Sequence, residues 1–197
     1  MRDEETAAIA VQSALTGHLV LSTLHTNDAA GAVTRLLDMG VADYLVTSTV
    51  NAILAQRLVR TLCPHCREQY TPLDEIRLRW RLDRFSHGSP VTLHRAVGCE
   101  QCGNTGYSGR SAILELLPMS DAIRELVIRH GDAGKIAQAA AASGMQFMLD
   151  NGLQKAVAGE TSIEEVLRVT QEQSFAAAGN RQADNRPEQP VQPEPAQ

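Results

Sequence analysis

Aromatic side chains are scarce: one Trp, three Tyr and three Phe in 197 residues. Basic charge is short as well, 18 Lys and Arg against 23 Asp and Glu, for a formal net charge of −5. A nucleic-acid binder needs a basic track and, for single strands, interleaved stacking rings, so both shortages argue against that class. No apolar run approaches the ~20 residues of a membrane-spanning helix. The N-terminus lacks the basic-then-apolar pattern of a secretory signal, and no internal repeat is present. A phosphate-gripping loop of the form G-x-x-x-x-G-K-[ST] is missing too. Its nearest approach is Gly131-Asp132-Ala133-Gly134-Lys135-Ile136. That stretch has two residues between its glycines where four are required, and Ile where Mg²⁺ needs a hydroxyl. It reads as a turn between helices.

Cysteine is rare but organised. All four are in two tight pairs, Cys63-Pro64-His65-Cys66 and Cys99-Glu100-Gln101-Cys102. A C-x-x-C turn sets two sulfurs on one side of a knuckle, and two knuckles can close a tetrahedron around one Zn²⁺. Four thiolates leave no position for water, so the site reads as structural. The 32 residues between Cys66 and Cys99 exceed a short zinc-ribbon interval and are expected to fold as an inserted lobe. A redox C-x-x-C or two unrelated thiol pairs are the other readings, but a redox motif would adjoin a βαβ pattern and needs no second copy. His65 could replace a thiolate, which a complete set makes unnecessary. Without a signal peptide, paired thiols point to a reducing, cytoplasmic compartment.

Along the chain, Glu4 to Leu15 has helical spacing with Gly17 as its stop. His18 to Leu24 is an apolar run of strand length, of the kind buried in a parallel sheet. Polar His25-Thr26-Asn27 follow it, then a helix from Asp28 to Met39 closed by Gly40. Ligands of open α/β sheets bind at strand carboxyl ends, so this order is half of a nucleotide-type α/β fold, with the other half expected before Met1. Val41 to Val59 reads as helical, in two pieces around Ser48 to Asn51. Within the cysteine lobe, Asp74 to Phe85 carries Arg77, Arg79, Arg81 and Arg84 around Trp80. This is either a basic face for acidic lipid or a partner, or a solvated helix side, and the second is favoured.

Ser111 to Leu117 is a return strand stopped by Pro118, and four helical stretches follow. Ser120 is placed to cap the first and Asp132 the second. Phe147 to Ala158 forms the third, and Thr161 with Glu164, or Ser162 with Glu165, makes a capping box for the last. From about Ala176 to Gln197 the Pro-, Gln- and Glu-rich composition predicts disorder. The expected units are therefore 1–59, 60–110, 111–170 and a tail, 171–197.

The string RDEETAAIAVQSALTGHLVLSTLHTNDAAGAVTRLLDMG, the cysteine knuckles, CGNTGYSGRSAILELLPMS and GETSIEEVLRVT resemble, in that order, the type II secretion and type IV pilus assembly ATPases (GspE/PilB-like). The resemblance covers roughly residues 1–170 and implies an α/β fold. That fold would be a partial RecA-like nucleotide-binding core, 1–59, with an inserted four-cysteine zinc lobe, 60–110, and a C-terminal helical bundle. It implies that Arg2-Asp3 follow the Walker B strand, and that Gly17 to Asn27 is the family's His box. His25 then sits near the γ-phosphate as a catalytic residue, while His18 has a weaker claim. Cys63, Cys66, Cys99 and Cys102 match the metal-binding tetracysteine. Arg110 matches an arginine close to bound nucleotide, though it could instead pair with Glu115 or cap a turn of the lobe. Gln56-Arg57-Leu58 match a recurring motif with no assigned contact.

The phosphate-binding loop, the acidic boxes and the reaching arginines of that family lie N-terminal to these residues. The resemblance thus implies ATP and Mg²⁺ as cofactors of a complete protein, with these residues inactive alone. It further implies a homo-hexamer, peripheral to the cytoplasmic face of the inner membrane through platform proteins of the machine, with no nucleic acid. The VLRVT ending leans toward secretion over pilus assembly. A non-catalytic, zinc-stabilised docking module is the competing class.

Overall fold

Acidic caps set the N-terminal helices. In a computed structural model, which describes residues 1–86 and 88–170, helix α1 (Glu4–Leu15) begins where the Asp3 carboxylate accepts the Thr6 amide at 2.8 Å. Helix α2 (Ala29–Asp38) begins where Asp28 accepts the Gly31 amide at 2.6 Å. Each cap satisfies a donor the helix cannot pair internally. A short α3 (Asp43–Thr49) follows. Ala7, Ala29, Val33, Leu36 and Val46 from these helices form one core with Leu117, Ile123, Val127 and Ile136 from the C-terminal half.

Two sequence expectations fail here. Residues 18–24 form no ladder, and Leu19 and Leu21 are 82% and 87% exposed. A buried parallel strand needs hydrogen-bonded neighbours, and among the described residues none lies beside this run. Its backbone is met by the Met1 ammonium, which donates to the Thr23 carbonyl at 2.7 Å. The second failure is at 52–59, which is strand and not helix. Strand β1 (Ala52–Leu62) buries alternate residues and pairs antiparallel with a distant partner. Ile53, Leu54, Leu58 and Val59 fit a helical and a strand period about equally, and periodicity alone cannot choose between them.

After β1 come β2 (Glu68–Tyr70), α4 (Asp74–Arg79), a 3₁₀ turn (Leu82–Phe85) and β3 (Leu93–Arg95), which pairs with β2. A second 3₁₀ turn (Glu100–Cys102) precedes β4 (Tyr107–Pro118). The return strand therefore starts four residues before its expected Ser111. β1 and β4 align from Ala52 opposite Pro118 to Arg60 opposite Arg110, with a register shift before Leu62 meets Tyr107. The result is one long ribbon.

Helices α5 (Asp121–Ile128), α6 (Ala133–Ala142) and α7 (Met148–Val157) complete the described residues with α8, residues 163–170. Asp132 caps α6 by accepting the Lys135 amide at 2.9 Å. Ser120 makes no cap hydrogen bond to α5. A second core joins Val59 and Ile113 of the ribbon to Leu82 and Leu93 of the inserted segment and to Leu153 and Val166 of α7 and α8. The arginines around Trp80 are largely engaged: Arg77 reaches Asp74 and Asp83, Arg84 pairs with Asp150, and Arg79 lies over Trp80. Among the described residues no helix is long and apolar enough to cross a membrane. The expected disordered tail lies outside the described residues.

Candidate metal centre and polar loop

The ribbon ends on the two cysteine turns. Leu62 leads into Cys63-Cys66, and Cys99-Cys102 leads into Tyr107 after a tight return. In the first turn the Cys66 and Arg67 amides fold back on the Cys63 carbonyl, and in the second the Cys102 and Asn104 amides fold back on Cys99. The turns are tied together where the Cys63 amide donates to the Gly106 carbonyl at 2.9 Å. All four sulfurs consequently lie within 4.8 Å of one another. Three separations are 3.8 to 3.9 Å: Cys63 to Cys99, Cys66 to Cys102, and Cys99 to Cys102. A tetrahedron with ~2.3 Å metal–sulfur bonds has edges of about 3.8 Å, so three of the six edges already match a zinc site and the rest lie within 4.8 Å.

Backbone amides aim at the sulfurs as well. The Gly98 amide donates to Cys66 at 3.3 Å and the Gly106 amide to Cys102 at 3.2 Å. Glycine is required at both: φ is +113° and +76°, and an added Cβ would lie 2.7 Å from the Asn104 carbonyl oxygen or 2.6 Å from Ala96 Cβ. Against burial, which would raise it, the Cys99 and Gly106 amides bring the Cys102 thiol down to about 6. Burial and the neighbouring thiols push Cys66 up to about 11. With no cation four thiolates cannot share this volume, and one divalent ion reverses that balance.

The sequence singled out His25, and its loop is held from both ends of the following junction. His25 itself is exposed, and among the described residues no hydrogen bond or ion pair holds its ring. His18 by contrast is satisfied locally, with Thr16 Oγ1 at 3.0 Å and the Ser13 carbonyl at 3.3 Å from Nδ1. Two residues later in the loop, Asn27 Oδ1 accepts from the Arg57 guanidinium at 3.0 Å. Then the Ala29 amide donates to the Glu115 carboxylate at 2.6 Å. The other Glu115 oxygen accepts the Met148 amide at 3.1 Å, at the start of α7. Glu115 is only 5% exposed.

Glu115 therefore does not pair with Arg110, as had been one expectation. Strand alternation sets the two on different faces: Arg57, Ile113 and Glu115 face the cores, while Arg110 is exposed on the face shared with Leu114 and Leu116. Arg110 thus lies on the ribbon face opposite the one from which Arg57 holds Asn27. Sequence reasoning noticed Arg57 without a contact and missed Glu115 as a functional group. The available signal was a lone carboxylate between Ile113 and Leu117 at an inward strand position, which calls for buried partners.

Comparison with known proteins decides the family. The model of the family described as "Type II/IV secretion system protein" matches residues 1–168. This chain belongs to that family. It is 55% identical over 172 residues to "Type II secretion system protein E" of Xanthomonas campestris, covering 87% of this chain and 30% of that relative. To "Type IV pilus assembly ATPase PilB" of Myxococcus xanthus it is 46% identical over 181 residues, covering 89% and 31%. The chain thus spans about a third of the length of these relatives. The solved structure "Crystal Structure of the Pilus Retraction Motor PilT and Bound ADP" superposes with a TM-score of 0.54 at 22% identity, over 86% of this chain and 37% of that one. That likeness shows the fold of this secretion-family chain, an α/β arrangement of RecA-like type, here carrying a four-cysteine cluster and a helical C-terminal part.

Proposed function

We propose that these residues are the C-terminal portion of a hexameric secretion-motor ATPase that couples ATP hydrolysis to pseudopilus or pilus assembly and protein export. The family match running unbroken across residues 1–168 carries the reading, because it spans the His25 loop and all four cysteines together. Phosphoryl transfer is mainly positioning and charge compensation: a backbone cradle, a lysine, Mg²⁺, and a group that orients the attacking water. His25, exposed at the loop's N-terminal side, supplies a ring nitrogen for the γ-phosphate. Arg110, on the ribbon's other face, supplies a guanidinium for nucleotide charge. Zn²⁺ on Cys63, Cys66, Cys99 and Cys102 would serve folding and not chemistry, since four thiolates leave no open coordination position. The motor is reached at the cytoplasmic face of the inner membrane through platform proteins.

The sequence contains no G-x-x-x-x-G-K-[ST] pattern, so these residues alone hydrolyse no ATP. The same observation favours a second reading, a non-catalytic docking module stabilised by zinc. One experiment separates them. The 172 matched residues of the Xanthomonas relative are replaced by those of this chain, and phosphate release from ATP is measured. The motor reading expects turnover in the chimera and a loss of at least about 10²-fold on His25→Ala. An inactive but folded hexamer leaves the docking module, and full turnover in His25→Ala removes the role assigned to that ring.

A further inference from the structure

We propose that Arg57 and Glu115 are positioning residues for the His25 loop: from the inner face of the β1–β4 ribbon, one holds Asn27 and the other clamps the Ala29 amide to the Met148 amide. The catalytic meaning of this placement rests on the proposed motor function, but the placement itself does not.

The geometry is specific. Residues 27 and 29 flank the α2 cap Asp28, so anchoring both fixes where the loop leaves the helix. Arg57 lies opposite Ile113 and Ala55 lies opposite Glu115 in the register, so the two anchors occupy neighbouring inward positions on paired strands. A carboxylate suits the Glu115 position because it must accept twice and donate nothing, once from the start of α2 and once from the start of α7. Both helices present a partial positive charge at those ends. A neutral amide in its place would turn an N–H toward one of the two backbone donors and leave that donor buried without a partner. Glu115 thus joins the loop to the C-terminal helices by one side chain, and a displacement of α7 is felt at Ala29. The other end of the same ribbon runs into the cysteine turns. A stretch from Arg57 to Leu62 is about 17 Å of strand, a stiff lever between the metal centre and the loop.

The test uses this chain with its metal bound, and reads amide exchange and the His25 ring resonances by NMR. Glu115→Gln is expected to speed exchange at both Ala29 and Met148 by at least about tenfold, and to move the His25 ring signals, while zinc content stays unchanged. Arg57→Gln moves the His25 signals, and Arg57→Lys restores them in part, because an ammonium still reaches Asn27. A general loss of stability would speed exchange equally in α5 and α6 and would not be repaired by lysine. If Glu115→Gln does not fold, the Arg57 pair decides. Unmoved His25 signals in a folded Arg57→Gln chain overturn the proposal, as does unchanged exchange at Ala29 in folded Glu115→Gln. These outcomes are independent of ATP turnover in the chimera, so failure of the placement and failure of the motor reading are told apart.

Discussion

The Glu165 carboxylate holds Arg60 twice, accepting its backbone amide at 3.1 Å and its guanidinium at 2.7 Å. Arg168 reaches the same carboxylate from one turn later at 2.8 Å. The expected capping box is thus only half formed: Ser162 Oγ accepts the Glu165 amide at 3.3 Å, but the Glu165 carboxylate is taken by Arg60 and Arg168. Thr161 donates to the Arg60 carbonyl, and the Arg60 guanidinium stacks 4.1 Å from the Tyr107 ring centroid. This cluster welds α8 to the ribbon beside the cysteine turns.

Acid should release that weld. Burial would raise the Glu165 pKa, but Arg168 and Arg60 outweigh it and bring the group down to about 2. A depressed carboxylate contributes stability above its unfolded value of ~4.3, and the contribution disappears as pH falls toward 2. Its size at neutral pH is on the order of 2–3 kcal/mol, since both arginines are half-exposed and screened. Glu165→Gln is therefore expected to unfold earlier in urea at pH 7. The gap between the two proteins should narrow steadily from pH 5 to pH 2.5. A gap independent of pH would mean the carboxylate's charge is not what stabilises.

Metal removal should act locally before it acts globally. Structural zinc contributes on the order of 10–16 kcal/mol to small metal-folded units, whereas Leu82 and Leu93 tie the lobe to a core that contains no cysteine ligand. Chelation, or Cys63→Ser, is expected to open protease sites between Leu62 and Gly103 while α7 and α8 remain protected. Zinc uptake at pH 7 must also expel protons, the Cys66 proton among them, because that thiol is held up at about 11. Purified chain that holds no zinc, or a chelated chain with unchanged cleavage, would refute the centre.

What the sequence made readable depended on whether the cause was local. Asp132 announces the start of its helix because a cap acts within three residues. The cysteine spacing announces a cluster because each pair folds on itself. The ribbon was half hidden: Ser111 to Leu117 is an apolar run of strand length stopped by Pro118, but its partner at 52–59 fits two periods, and the choice is made by pairing across 52 to 66 residues. The run 18–24 carries a strand's composition without a neighbour to pair with among the described residues. Glu115 was visible as a letter and not as a clamp, because its two donors come from Ala29 and Met148, distant in opposite directions.

Ser120 offers a sharper test of local rules. It occupies the N-cap position of α5, where removing a serine normally costs about 1 kcal/mol. Here its hydroxyl makes no cap bond, and it is buried with no partner among the described residues. Ser120→Ala removes an unsatisfied polar atom and loses no hydrogen bond, so stability should stay level or rise by up to about 1 kcal/mol. Equilibrium unfolding decides it, and a clear loss would mean the hydroxyl caps α5 in solution.

Gly152 sets the distance between α7 and α8. It sits inside a helix, where alanine would ordinarily stabilise by about 1 kcal/mol. A Cβ there would lie 2.5 Å from Val166 Cγ1 and 3.2 Å from its Cγ2. Val166 is fully buried and β-branched, so its rotamer cannot swing aside cheaply. Overpacking of this kind costs about 1–3 kcal/mol, enough to cancel or exceed the propensity gain. Gly152→Ala is expected to lower stability, and Val166→Ala to lower it by opening a cavity. Combined, the two should cost less than their sum, because the new methyl fills the space that valine leaves. A double-mutant cycle on urea midpoints measures that coupling. Strict additivity would show that α7 and α8 do not meet at this contact.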